Sequence, residues 1–148
     1  MDSEVIMRVQ LGRVVALSLV LALPACGDDT SFSPTVENVA GVYSATTFTL
    51  DLAVATVNQL ILGSEVEITL APDGTTTGRV FVPGAGEDGG DLDADLTGTW
   101  SLSRGGVTFD QTADTFIRDV RFTADRNRLI GKATLGHQLV DLVLTKTE

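Results

Sequence analysis

Few side chains in this 148-residue sequence have the type and spacing to do chemistry. The single cysteine, Cys26, cannot form an intramolecular disulfide, so it serves either as a free thiol or as an attachment point. Asp91, Asp93 and Asp95 stand at alternate positions in the run GAGEDGGDLDAD (residues 84–95), with Glu87 and Asp88 just before them. Carboxylates so spaced collect on one side of an extended chain and are a weak calcium candidate. Leu96, however, stands where an EF-hand loop needs glycine, and no glutamate occupies the twelfth position. A solvated loop is therefore the reading, and no metal is expected. Arg118, in TFIRDVRFT (115–123), shares strand parity with Phe116, Val120 and Phe122. A guanidinium pointing inward must meet an anion, either a ligand carboxylate or a neighbour such as Asp141. His137 is the only histidine and follows Gly136 in a turn-like pair, with no nucleophile elbow near it. Zinc spacing, phosphate loops and haem motifs are missing from the sequence. These residues predict a chain that is not an enzyme and takes no cofactor.

Composition narrows the partners. A formal net charge of −10 leaves no basic face for phosphates, which argues against nucleic acid. The length allows one domain with a short appendage. Abundant Val and Thr, with 15 Gly against 4 Pro, point to an all-β chain with many turns.

The appendage is the N-terminus. MRVQLGR (7–13) carries two positive charges and no acid, and VVALSLVLAL (14–23) is apolar except for Ser18. A basic region, a ten-residue apolar stretch and a small-residue exit make a secretory signal peptide, too short to span a bilayer comfortably. Asp2 and Glu4 suit such a basic region badly, so translation is expected to begin at Met7. The exit, Leu23-Pro24-Ala25-Cys26, resembles the bacterial lipobox, with Pro24 in place of the usual small residue. That resemblance implies a diacylglyceryl thioether on Cys26, cleavage before it and acylation of the new amino terminus. The alternative is an ordinary secretory signal cleaved after Ala25. Each buried CH₂ contributes about 0.8 kcal/mol, and one chain binds only marginally, so two or three chains make the durable anchor. Gly27 replaces the Asp that favours inner-membrane retention in enteric bacteria, so an outer-membrane location is expected in a Gram-negative host. The expected organisation is a signal peptide (1–25), a lipidated cysteine and polar tether (26–34), and one domain (35–148).

Within that domain the dominant period is two. EVEITL (65–70), DLTGTWSLS (95–103), GVTFD (106–110) and QLVDLVLT (138–145) alternate apolar with polar side chains, as half-buried antiparallel strands do. Asp73-Gly74, Arg104-Gly105-Gly106, Asp125-Arg126-Asn127 and Gly136-His137 are hairpin signals between them. Eight strands are predicted near 39–50, 64–71, 75–82, 94–103, 106–111, 117–124, 128–135 and 138–146. Short connections make sequential neighbours pair, and an eight-stranded up-and-down meander hides both edges most simply by closing into a barrel. Apolar residues at 53, 57, 60 and 61 follow a helical spacing with Gly63 as its stop. A short helix over 53–62 that caps one barrel end is favoured over a continued strand.

Gly41-Val42-Tyr43 at the first strand, Leu96-Thr97-Gly98-Thr99-Trp100, the hairpin 101–109 and the closing Leu142-Val143-Leu144-Thr145-Lys146 resemble the lipocalin-like bacterial proteins of the calycin group. Tyr43 stands where lipocalins carry Trp, and their paired cysteines are absent. The resemblance implies the barrel and, inside it, a small apolar or amphipathic ligand held without chemistry. Tyr43, Trp100, Phe116, Arg118 and Phe122 are the candidate ligand contacts. Gly41, Gly78, Gly98, Gly131 and Ala133 fall at inward positions, which predicts unfilled interior volume. The alternative is a filled barrel whose surface meets another envelope protein, or whose 84–95 loop inhibits a secreted enzyme. The membrane, through the N-terminal lipid, is the other expected partner.

Overall fold

The eight predicted strands close on themselves. The structure, a computed structural model, describes residues 31–147, so Cys26, the signal segment and most of the tether lie outside it. Ten strands form one antiparallel sheet: β1 (Gly41–Leu52), β2 (Ala55–Asn58), β3 (Glu65–Leu70), β4 (Thr75–Val82), β5 (Leu92–Asp95), β6 (Gly98–Ser103), β7 (Gly106–Gln111), β8 (Phe122–Asp125), β9 (Arg128–Leu135) and β10 (Gln138–Lys146). β2 and β3 lie along the same edge of β1, as β5 and β6 lie along the same edge of β4. Each of those pairs is one interrupted stave. The ring therefore has eight staves, and β10 on β1 closes it.

Alternation places Ile68, Leu70, Val80, Trp100, Phe109, Phe122, Leu142 and Leu144 in one buried core. β1 changes parity midway: Tyr43 faces the core before a bulge between Ala45 and Thr47, and Phe48 faces it afterwards. An extra residue there lets a twelve-residue strand bend around the barrel while keeping apolar side chains inside. Arg104 and Gly105, at φ 50° and 73°, make the tight β6–β7 connection, both in the left-handed region that a type I′ hairpin requires.

One end of the barrel is covered by the N-terminal segment. Helix α1 (Val36–Val39) starts with a capping box between Thr35 and Asn38. It is held from below by Tyr43, whose hydroxyl donates to the Val39 carbonyl at 2.6 Å. Phe32 packs against the core, and Asn38 Nδ2 donates to the Ser33 carbonyl, so the last residues of the expected tether belong to this cover.

Three expectations change. Residues 53–62 are not a helix: β2 continues the hairpin from β1, and 59–63 is a turn. The hairpin gives the backbone its partners from Thr49–Asn58 to Leu52–Ala55, and the Asn58 side chain accepts from Leu60 N to close the turn. A helix would have needed a surface for its apolar stripe, yet Ala53 and Ile61 are exposed. Gly63 still acts as a stop, at φ 91°. The predicted strand 117–124 is half helix: α2 (Phe116–Asp119) precedes β8, and Val120 joins them. Phe116 and Val120 share a strand's parity, but with Ile117 they also form a helical face, and Ile117 and Val120 are both buried. Finally, Gly78, Gly98 and Gly131 do not mark empty space. A side chain at Gly78 would strike Glu67 and Ile68 backbone, and one at Gly98 would strike Asp110 and Gln111 backbone. At Gly131 the rings and methyls of Phe122 and Val120 already occupy the place.

Candidate functional site

The end of the barrel opposite α1 is open, and the sequence pattern explains why. β8 begins only at Phe122, so the stave that should rise beside β9 toward Leu135 is replaced by α2 folding over the opening. Phe116 of α2 stacks on Phe48 of β1, ring centroids 5.4 Å apart at 26°. A concavity of about 310 Å³ remains beneath it. Its walls are Leu50, Val82, Leu92, Leu135 and Val140, each at or close to the end of its strand on that side. Small-molecule sites begin near 300 Å³, so the mouth fits a compact apolar body.

The charged and hydroxyl side chains around this mouth come from two loops, and the Gln138 amide joins them from the start of β10. Glu87 belongs to the 83–91 loop, and Asp114 and Thr115 belong to the segment leading into α2. Thr115 is 4% exposed, and its Oγ1 has no partner. It occupies the helix N-cap position yet makes no capping hydrogen bond. A buried hydroxyl without a partner costs about 1–3 kcal/mol, and such atoms in a cleft are where a ligand's polar group would be satisfied. Ser64 Oγ and Gln111 Oε1 are also buried without partners, but neither lines the mouth.

A second concavity, about 530 Å³, lies at the break between β2 and β3, where residues 45–48 of β1 lose their partner strand. It is larger, but Glu65, Glu67, Arg79 and Phe81 line it from the outer face of the sheet. Arg79 is already committed to Asp93 through two bonds of 2.7 Å. Ser64, whose Oγ is also unmatched, lines this second concavity, so apolar enclosure, rather than volume or an unmatched polar atom alone, marks the barrel mouth as the candidate site.

The sequence-expected residues divide as follows. Phe116 lines the mouth. Tyr43, Trp100 and Phe122 are buried deeper and do not line it. Trp100 Nε1 donates to the Ala71 carbonyl at 2.8 Å, and Phe122 packs edge-on against Phe109. Burial pushes the Tyr43 phenol up to about 12. Arg118 does not point into the barrel: it sits on α2, 35% exposed at its side chain, and reaches Asp114 at 2.5 Å and Asp119 at 3.4 Å. Those carboxylates raise its already high pKa, through the bond to Asp119 first and the charge of Asp114 next. Asp141, the alternative partner, pairs with Lys132 instead at 2.8 Å.

Two carboxylates of the acidic triplet, Asp91 and Asp93, are likewise engaged in the fold. Asp93 is held below the usual carboxylate range by its bond from Arg79, and Asp91 accepts from Gly84 N. Among the described residues no group of three or more His, Cys, Asp or Glu is placed to hold a metal. Thr115 and the Leu50–Val140 wall were missed from sequence, although Asp114-Thr115 before Phe116-Ile117 is an N-cap signal. No protein-family model, curated protein or solved structure matches the chain. The likeness to lipocalins is therefore one of architecture, a closed eight-stave antiparallel barrel.

Proposed function

We propose that this domain is a binding module, not an enzyme, that holds a small apolar or amphipathic molecule in the open end of the barrel. The observation that carries the reading is the mouth itself. It joins a half-enclosed apolar wall to one buried hydroxyl that the protein leaves unmatched. A barrel evolved only to fill itself would have closed this end with side chains, as α1 and Trp100 do at the other. The proposal includes a lipid anchor at Cys26 and residence in the bacterial cell envelope, at the outer membrane in a Gram-negative host. This part rests on the sequence alone, through the signal-like stretch and the Leu23–Cys26 resemblance. Among the described residues no helix is long and apolar enough to cross a membrane.

Native mass spectrometry of the full chain purified from its own envelope tests the reading. A mass lost on denaturation is a carried ligand, whereas acyl chains on Cys26 stay attached. Leu50→Trp, which fills the mouth, should abolish the lost mass and keep the acyl mass. A bare protein that also ignores short-chain amphiphiles would defeat the carrier reading.

One observation favours a second reading. The β1–β2 hairpin tip and following turn expose Val54, 93% accessible, together with Ile61 and Leu62. Exposed apolar side chains at a protruding hairpin suit contact with another envelope protein. Val54→Lys with Ile61→Lys would abolish such a contact, and the carried mass would stay.

A further inference from the structure

The polar side chains that line the mouth are anionic or neutral, and this limits what it can hold. Glu87 and Asp114 are carboxylates, Thr115 Oγ1 is an unmatched hydroxyl, and Gln138 is an amide. No Lys, Arg or His lines the mouth among the described residues. The nearest guanidinium by sequence, Arg118, is spent on Asp114 and Asp119 and does not itself line the mouth. The whole chain adds a field of the same sign, with a net charge of −10. A carboxylate entering here would meet the charge of Glu87 and the partly paired Asp114 in a half-apolar setting, with only the Thr115 hydroxyl and the Gln138 amide to donate to it.

A protonated amine would meet the reverse. Its N–H groups can donate to Thr115 Oγ1, the unmatched buried hydroxyl at the mouth, while its charge lies within the field of Glu87 and Asp114. Asp114 is bonded to Arg118 through Oδ1, which weakens its contribution without reversing its sign. Glu87 has no ion-pair partner among the described residues and contributes its full charge. Resting on the carrier reading above, we propose that the mouth selects cationic amphiphiles: an apolar body against Leu50, Val82 and Val140, and an ammonium head between Thr115 and the two carboxylates. The ligand carboxylate that an inward Arg118 would have met gives way to a cation, because Arg118 lies on α2 and is engaged by Asp114 and Asp119.

Three probes of one chain length separate head from body: decylamine, decanol and decanoate, titrated into the full chain at neutral pH and low salt. Amide NMR shifts at Leu50, Val82 and Val140 report binding at the mouth and nowhere else. Charge-assisted contacts in a partly desolvated site predict decylamine tighter than decanol by about threefold to tenfold, with decanoate weakest. Added salt should shrink the difference, since part of it is long-range field. Glu87→Gln, in an exposed loop, should move decylamine toward decanol and leave decanol unchanged. Thr115→Val should weaken decylamine and decanol alike.

Decanoate binding as tightly as decylamine, or Glu87→Gln leaving the amine preference intact, would overturn the charge selection while the carrier reading stands. If none of the three shifts the mouth amides, the carrier reading itself falls and takes this inference with it.

Discussion

Replacing Tyr43 by Phe tests how the covered end of the barrel is held. Tyr43 is 1% exposed and is the only tyrosine in the chain, so its phenol can be followed without ambiguity. Its hydroxyl donates to the Val39 carbonyl at 2.6 Å, the last residue of α1. Tyr43→Phe leaves that carbonyl without its donor, at a cost of about 1–2 kcal/mol near neutral pH. The same burial raises the phenol to about 12 from its ordinary 10.0. An acid with a higher pKa folded than unfolded contributes its stability below pH 10 and loses it as the pH climbs through 12. The unfolded chain releases its proton first, and ionisation then pulls the protein open. A tenfold difference in proton affinity between the folded and unfolded chain is worth about 1.4 kcal/mol, so a rise from 10 to 12 removes roughly 2 kcal/mol by pH 12. Tyr43→Phe has no such proton to release. Urea unfolding from pH 8 to 12 should therefore show the native protein ahead at pH 8 and the gap closing as pH rises. The phenolate absorbance should rise with a midpoint near 12. A constant gap, or a phenol that titrates at its ordinary value, would refute both the burial and the bond to α1.

Three further outcomes follow from the packing and the N-terminus. Gly131→Ala would set a methyl 2.6 Å from Val120 Cγ1 and 2.7 Å from Phe122 Cε1, costing about 1–3 kcal/mol in urea unfolding; a neutral result would mean the barrel is loosely packed there. Thr115→Val removes a buried hydroxyl that caps nothing, so the ligand-free protein should gain about 1 kcal/mol, and a loss would reveal a partner for Oγ1. Cys26→Ser should move the protein from the membrane fraction to the soluble one, whereas continued membrane association would remove the lipid anchor from the proposal.

The barrel was legible because alternation and turn chemistry agreed. β4, β7, β9 and β10 run where period two and their bounding turns place them. Agreement failed where one apolar pattern served two geometries. Phe116 and Val120 fit a helix or a strand, and β8 pairs with β7 only at Gly106–Thr123 and Val107–Phe122, after the helix has ended. Residues 53–62 depart in the other direction: a helical spacing is overridden by the backbone partners that β1 offers. The site was hidden for another reason. Its wall takes one residue from each of several strands, Leu50, Val82, Leu92, Leu135 and Val140, and nothing local distinguishes these from core positions. An inward glycine suggests missing volume, but at Gly98 and Gly131 it marks a place already taken by a neighbour's backbone or ring.

The seam between β1 and β10 also governs how the chain reaches this state. It joins the two ends of the domain: Thr46 bonds Thr145 across 99 positions, Thr147 bonds Val42 across 105, and Lys146 Nζ donates to the Asn38 carbonyl across 108. Such separations mean high contact order, and barrels dominated by them fold in milliseconds to seconds rather than microseconds. More directly, the ring cannot shut until its final nine-residue strand exists. A chain still emerging from a ribosome holds two unpaired strand edges and an open core. It stays pliable until the last residues arrive, and loss of those residues would leave both edges exposed to pairing with other copies.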